Sequence, residues 1–385
     1  MDVGRSPGEP GSKTARFVHS PALDAFHYPP ECPFKTERAG MTVELLRSMG
    51  LLSDEDLLDF EPASRETLER FHTPAYLDML LAAPDGDMGV EGLHMGLATP
   101  ETPVFRGMYE YGALACGATL AAVDAVAGER AQRSFNPSGG YHHAFPAKAA
   151  GFCYLNDIAL ACLRLADAGR RVMFLDVDVH HCDGVQDAVY DRNDVLVLSF
   201  HQTGKTLFPG TGFEDETGVG EGEGYTVNVP LPPGTYEQAY LRAFREIAPP
   251  VAEAFDPEII ILEVGMDCLS GDPLAGMNLT NNAYVDVVRE VLSWGKPVAA
   301  TGGGGYHPRN TARGWALMWS LLAGRDTGMS MSYGLGGVML ESTDWHGGLR
   351  DRAMAPTAPM RSAVDQVVAQ TIEKVKSNVF AHHGL

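Results

Sequence analysis

The sequence is short of positive charge, of paired cysteines and of long apolar runs, and each shortage narrows what the protein can do. Lys and Arg number 29 against 50 Asp and Glu, a formal net charge of −21. Binding to a phosphate backbone needs clustered cations, so no nucleic-acid partner is expected. The six cysteines, Cys32, Cys116, Cys153, Cys162, Cys182 and Cys268, are scattered, with no C-x-x-C pair and no zinc-ribbon spacing. That usage suits a reducing cytoplasm. No apolar run approaches the ~20 residues of a membrane span. The opening MDVGRSPGEPG has no apolar stretch of the secretory kind. There is also no Ser/Gly-rich linker and no internal repeat. The 385 residues, 45% of them hydrophobic, are therefore expected to form a flexible tail over 1–15 and one catalytic domain over 16–385. The acidic surface serves solubility, and it would also steer basic peptides.

What the chain does have is a series of short β-branched runs ending in polar or glycine-rich turns. They are VMFLDVDV (172–179), VLVLSF (195–200), EIIILEVG (258–265) and PVAATGGGG (297–305). Near-continuous apolar strands of this kind belong in a parallel sheet covered on both faces. Helical patterns alternate with them over 107–127, 155–168, 236–254, 281–293 and 309–322. A C-terminal helix is expected over about 362–380, because Val364, Val368, Ile372, Val375 and Val379 fall on one stripe. The alternation predicts a wound α/β domain of three layers, with a central, mainly parallel sheet. In such sheets the site lies beyond the carboxyl ends of the strands. There the sequence gathers Asp176, Asp178, His180 and His181, then Ser199 and His201, then Asp267, and finally Gly302–Gly305 and Tyr306.

These residue types suggest a metal and a proton relay. If 172–180 continues as a strand, Asp176, Asp178 and His180 share one side. Asp178, His180 and Asp267 would then supply three ligands, and three protein ligands with an open position mark a catalytic rather than a structural site. Zinc is the first choice, while two carboxylates and one imidazole also accept Fe²⁺ or Co²⁺. A salt-bridged, buried Asp–His cluster is the non-catalytic alternative. His142 and His143 follow two glycines, and Asp176 and Asp183 can accept their N–H groups. One imidazole could take a proton from water and the other could protonate a leaving amine. Tyr306, presented by four glycines, could donate to a developing oxyanion, or it could simply be packed. No G-K-[ST] follows the glycines, so they do not form a phosphate loop.

The blocks FHTPAYLDML (71–80), GGYHHAF…GFCYLNDIALA (139–161), VDVHHCDGVQDAVY (177–190), LSFHQTGKTLFPGTG (198–212), GMDCLSGDPLAGMNLT (265–280) and GGGGYHPRNTARGW (302–315) together resemble the histone deacetylase family. That family includes the bacterial acetoin-utilisation deacetylases. The blocks occur in family order, and the likeness runs from about residue 16 to about 323. It implies an arginase-like α/β fold and zinc-dependent hydrolysis of acetyl-lysine or a related acyl-lysine in a protein or peptide. By the resemblance, Asp178, His180 and Asp267 are the zinc ligands. His142 and His143, backed by Asp176 and Asp183, handle protons, and Tyr306 polarises the carbonyl. Gly151, Phe152 and Phe208 line a tunnel with Leu274 at its rim, and Gly304 is placed with these substrate-binding residues. Glu101 stands where the family has an Asp that grips the substrate backbone. Asp176, Asp178, His180, Ser199 and Phe200 resemble a potassium site, and Arg38 an arginine on an internal acetate exit.

The sequence departs from the family at Cys182, which replaces a usual Gly, and at Glu101, one methylene longer than Asp. Tyr141 occupies a variable position, and PPEC (29–32) lies in a loop able to shape the tunnel mouth. A binuclear manganese ureohydrolase on the same fold would need carboxylates where Cys182 and Leu269 stand. A non-catalytic acyl-lysine binding module would not need the full catalytic set. A deacetylase of small amines such as polyamines would favour a carboxylate at the rim, where Leu274 is neutral.

Overall fold

In the computed structural model, residues 15–326 and 348–385 are described. Among them seven strands form one sheet: β1 (Ala15–Phe17), β2 (Arg133–Asn136), β3 (Val172–Asp176), β4 (Val195–Gln202), β5 (Thr226–Leu231), β6 (Ile259–Glu263) and β7 (Val298–Thr301). Their order is β1-β2-β7-β6-β3-β4-β5, and every pairing is parallel. The four strands read from sequence are all present, but β1, β2 and β5 are additions. The expected tail lies outside the described residues as far as residue 14, and Ala15 already pairs with Arg133.

Alternation along β3 shows why the sheet needs cover on both faces. Met173 and Leu175 join one apolar core with Leu198, Val227, Trp315 and Val368, while Val172 and Phe174 join a second with Val197, Ile158 and Val123. The first core is closed by helices Arg38–Ser48, Glu237–Phe255, Asn281–Ser293, Pro308–Leu322 and Ala358–Val379. The second is closed chiefly by Met108–Ala127 and Asp157–Asp167. The result is the expected three-layer α/β architecture.

Local chemistry sets several helix starts. Asn156 caps 157–167 by accepting the Ala159 N–H at 2.8 Å, Thr280 caps 281–293, and Pro308 occupies the first turn of its helix behind His307. The C-terminal helix buries the stripe Val364, Val368, Ile372, Val375 and Val379, and its Thr371 hydroxyl donates to the Pro230 carbonyl on β5 at 3.1 Å. It thereby covers the outer edge strand.

The strand order carries one consequence for function. The chain leaves β2, skips the places later filled by β7 and β6, and enters β3. The order reverses there, and a crevice opens beyond the carboxyl ends. The loops after β2, β3, β4, β6 and β7 all reach this crevice.

Candidate active site

The strand ending at Asp176 is shorter than the sequence pattern suggests. Asp178 and His180 therefore lie on a loop, and strand alternation is not what aligns them. Carboxylates do it instead, by taking successive backbone N–H groups. Asp176 Oδ1 accepts from Asp178, Asp267 Oδ1 from Val179, and Asp178 Oδ1 from His180, each at 2.9 Å. The loop is thus wound around the acidic groups it presents.

This winding leaves His180 Nδ1 between Asp178 Oδ1 at 3.0 Å and Asp267 Oδ2 at 3.1 Å. All three residues are buried, and they form a group whose ligand atoms lie within 4.8 Å of one another. Asp267 Oδ2 has no aligned hydrogen-bond donor. Gly304 provides the open space: a Cβ there would lie 2.0 Å from Asp267 Oδ2. Two carboxylates and an imidazole with an unmet oxygen fit a divalent cation. Without one, a proton does the holding. Burial opposes charge on His180, but the Asp178 and Asp267 carboxylates beside its Nδ1 outweigh it and push its pKa up to about 10. Burial and the Asp178 charge raise Asp267 to about 7.

The histidine pair is set by the loop after β2. Asp157 accepts the Gly140 and Tyr141 N–H groups at 3.0 and 2.7 Å, which fixes the backbone entering the pair. His142 Nε2 faces His143 Nε2 at 3.1 Å. Behind them, Asp176 Oδ2 lies 3.1 Å from His142 Nδ1, and Asp183 Oδ1 lies 2.7 Å from His143 Nδ1. The two imidazoles are pushed in opposite directions. Burial disfavours charge on both, but the Glu263 and Asp176 carboxylates lift His142 well above the usual histidine range. Burial and the neighbouring His142 and His180 hold His143 well below it.

Glu263 is the residue that sequence reasoning missed. It closes β6 with 0% exposure, 3.1 Å from His142 Nδ1. An acidic residue ending an otherwise apolar strand was the available signal, the same one that marks Asp176 on β3. His142, Asp178 and Glu263 also cluster closely enough to suggest an ion. However, Nδ1 facing two carboxylates calls for a proton there, which removes the lone pair a metal would use.

A cavity of about 290 Å³ opens in front of these groups, lined by residues that include Glu101, His143, Gly151, Phe152, His180, Phe208, Leu274 and Tyr306. His142 and Gly304 lie behind this lining: Gly304 N–H donates to Asp178 Oδ2 at 2.6 Å. Phe152 holds a left-handed φ of 65° directly after Gly151 at 51°. The Tyr28 hydroxyl, donating to the Phe152 carbonyl at 2.7 Å, helps hold this turn. The Tyr306 ring stands edge-on to His180 with centroids 6.2 Å apart, and its N–H is held by Asp272 Oδ2 at 2.8 Å. Ser199 lies beside Asp176 in register, and its hydroxyl meets His201 Nδ1 at 2.8 Å, while the Phe200 ring packs on Tyr240 and Phe244. Arg38 is buried, donating to the Gly305 and Lys35 carbonyls, with its guanidinium over Phe34 and Trp315. Cys182 is buried beside the loop of ligands, and Cys32 is buried in the 29–32 loop.

A metal-competent triad, a histidine pair and a phenol are thus gathered at the carboxyl ends of a parallel sheet, an arrangement suited to hydrolysis. Residues 32–322 match the histone deacetylase domain. The chain is 39% identical over 320 residues to the acetoin utilization protein AcuC of Bacillus subtilis, covering 81% of this chain and 83% of that one. It is 38% identical to histone deacetylase 8 of Xenopus tropicalis over 75% of this chain and 78% of the relative. A solved histone deacetylase homologue from Aquifex aeolicus superposes with a TM-score of 0.86 at 33% identity, covering 94% of this chain and all of the other. The chain belongs to the histone deacetylase family.

Proposed function

We propose that the protein hydrolyses the amide of Nε-acetyl-lysine, or a related acyl-lysine, in proteins or peptides. The observation that carries this reading is the convergence of Asp178, His180 and Asp267 with His143 and Tyr306 around one narrow cavity. Asp178, His180 and Asp267 would hold the ion, with zinc the first choice and Fe²⁺ or Co²⁺ chemically acceptable. When bound, the ion supplies Lewis acidity toward water and the amide carbonyl.

The chain's own residues do the rest. His143, which lines the cavity, takes the proton of the attacking water and returns a proton to the lysine nitrogen. His142 lies behind it and shares that proton traffic, with Asp176 and Asp183 fixing the two rings. Tyr306 donates to the oxyanion. Gly151, Phe152 and Phe208 enclose the lysine stem and exclude water, and Glu101 accepts from substrate backbone amides at the mouth. Gly304 supports the substrate end of the site from behind. A potassium ion at Asp176, Asp178, His180, Ser199 and Phe200 would brace the loop. We assign residues 16–385 to one catalytic domain. The six free, buried cysteines fit the cytoplasm.

Deacetylation of small amines such as polyamines is the second reading, and Glu101 at the mouth favours it. Leu274 favours the peptide, because it puts an apolar side chain where a second rim carboxylate would help hold a cationic small molecule. A panel of acyl-lysine peptides and acetylpolyamines, assayed with elemental analysis, tests both readings. We expect about one divalent ion per chain and higher kcat/KM on peptides. The variant Leu274→Glu should shift preference toward polyamines. Two manganese ions per chain, or far better turnover of acetylpolyamines by the unaltered protein, would overturn the assignment.

A further inference from the structure

His142 faces two carboxylates, although its tautomer requires only one. Asp176 closes β3 and Glu263 closes β6, and the parallel register places them side by side. His142 Nδ1 lies 3.1 Å from Asp176 Oδ2 and 3.1 Å from Glu263 Oε1. Asp176 takes the aligned hydrogen bond, while neither Glu263 oxygen has an aligned donor. Backbone packs tightly around the Glu263 tip: a Cβ on Gly140 would fall 2.9 Å from Oε1, and one on Gly303 would fall 3.0 Å from it. Among the described residues, His142 is the ionic partner of this carboxylate.

A buried carboxylate with unmet acceptors costs stability, and a neutral residue of the same shape would be tolerated better. Local rules broken at such expense point to a functional demand. The demand is visible in the geometry. One carboxylate beside Nδ1 leaves the imidazole able to swing about a single bond, whereas a hydrogen bond from one strand and a carboxylate charge from its neighbour together define the ring's orientation. That orientation aims Nε2 at His143 Nε2, 3.1 Å away.

We propose that Glu263 is a positioning residue for the reaction, holding His142 jointly with Asp176 so that the two imidazoles stay aligned for proton transfer. The inference rests on the site being the acyl-lysine hydrolase centre described above. Glu263 acts through His142 and does not touch the substrate.

The test is Glu263→Gln in the full-length, metal-loaded protein. The proposal expects kcat to fall by about tenfold or more while KM for an acetyl-lysine peptide stays within about threefold. The thermal midpoint should be unchanged or higher, and the His142 Nδ1 proton resonance should move. A kcat within about twofold of the unaltered protein overturns the proposal. So does a parallel worsening of kcat, KM and midpoint, which is the signature of a structural residue. Failure of Glu263→Gln to fold also overturns it, because the carboxylate is held to be a cost to stability. If the unaltered protein hydrolyses no member of the acyl-lysine panel, the functional reading fails separately. The resonance and the midpoint then decide Glu263: a moved resonance with an undiminished midpoint supports the contact, and an unmoved resonance or a lowered midpoint refutes it.

Discussion

Asp56 and Asp267 are buried alike, 4% and 0% exposed, yet their surroundings differ in every other respect. Asp56 receives both guanidinium nitrogens of Arg325 at 2.8 Å, the Ser53 N–H at 2.8 Å and the Ser53 hydroxyl at 2.9 Å. Burial opposes its charge, but these bonds outweigh burial and hold it down to about 2. Asp267 receives one backbone N–H on Oδ1 and has no aligned donor on Oδ2. A fully bonded buried carboxylate braces the fold, here by tying the end of helix 308–322 to the 51–56 turn. An incompletely bonded one keeps acceptor capacity that, at Asp267, a cation would fill. These two carboxylates also stand apart, Asp56 beside Arg325 and the 51–56 turn and Asp267 beyond the carboxyl ends of the sheet.

The largest test of that separation is Tyr306→Phe. Loss of an oxyanion donor should cut kcat by ~10²–10³, about 3–4 kcal/mol. Acyl-lysine affinity should stay within about tenfold, ~1.4 kcal/mol, and metal content and melting midpoint should be retained. Near-normal turnover by the metal-loaded variant would remove the phenol from the mechanism. The next test is metal removal. An ion present at ~100 times its Kd stabilises the fold by roughly 2.7 kcal/mol, so chelation should lower the melting midpoint measurably. Asp56→Asn should leave that chelation-induced drop unchanged, because distant sites add independently. A chelator without effect on melting would deny the carboxylates at the sheet end their role as ligands.

The residues of the candidate site were more legible in the sequence than the sheet around them. His142, His143, Asp178, His180, Asp267 and Tyr306 are chemically conspicuous, and each follows an apolar strand or a pair of glycines. The strands β1, β2 and β5 were not legible for the opposite reason. ARF is three residues long, RSFN carries one large apolar side chain, and TVNVPL is interrupted by Asn228 and Pro230. All three gain their pairing from neighbours far away in sequence. The same holds for Glu263, whose meaning depends on β6 lying beside β3. Asp178 and His180 were singled out on an incorrect geometry, since a loop wound by carboxylates imitates the spacing of a strand. Helix 237–255 was legible despite Pro249 and Pro250, because its buried stripe from Ala239 through Val251 outweighs the two breakers.

The smallest expected effect concerns the bracing side of the comparison. Replacing Asp56 with Asn removes the charge opposite Arg325, whose side chain is 35% exposed. Solvent screening at the arginine limits the loss to about 1–2 kcal/mol of unfolding free energy near pH 6, with kcat and metal content unchanged. The pH dependence gives this loss a signature. Asp56 has a folded pKa near 2, against about 3.9 for an unfolded aspartate. A depressed carboxylate contributes stability that is fully present above the unfolded value and disappears as pH falls through the folded one. The unfolded chain takes up the proton first, and that uptake draws the equilibrium toward unfolding. By linkage, about half of the contribution should be gone near pH 3. Urea unfolding of both proteins between pH 6 and pH 3 reads the difference directly and cancels the titration of every group they share. The advantage of the unaltered protein should shrink steadily over that range. A constant gap would show that Asp56 braces by shape and hydrogen bonding alone. A gap that widens toward acid would mean that the charge at position 56 is a burden on the fold, as the charge at Glu263 is proposed to be.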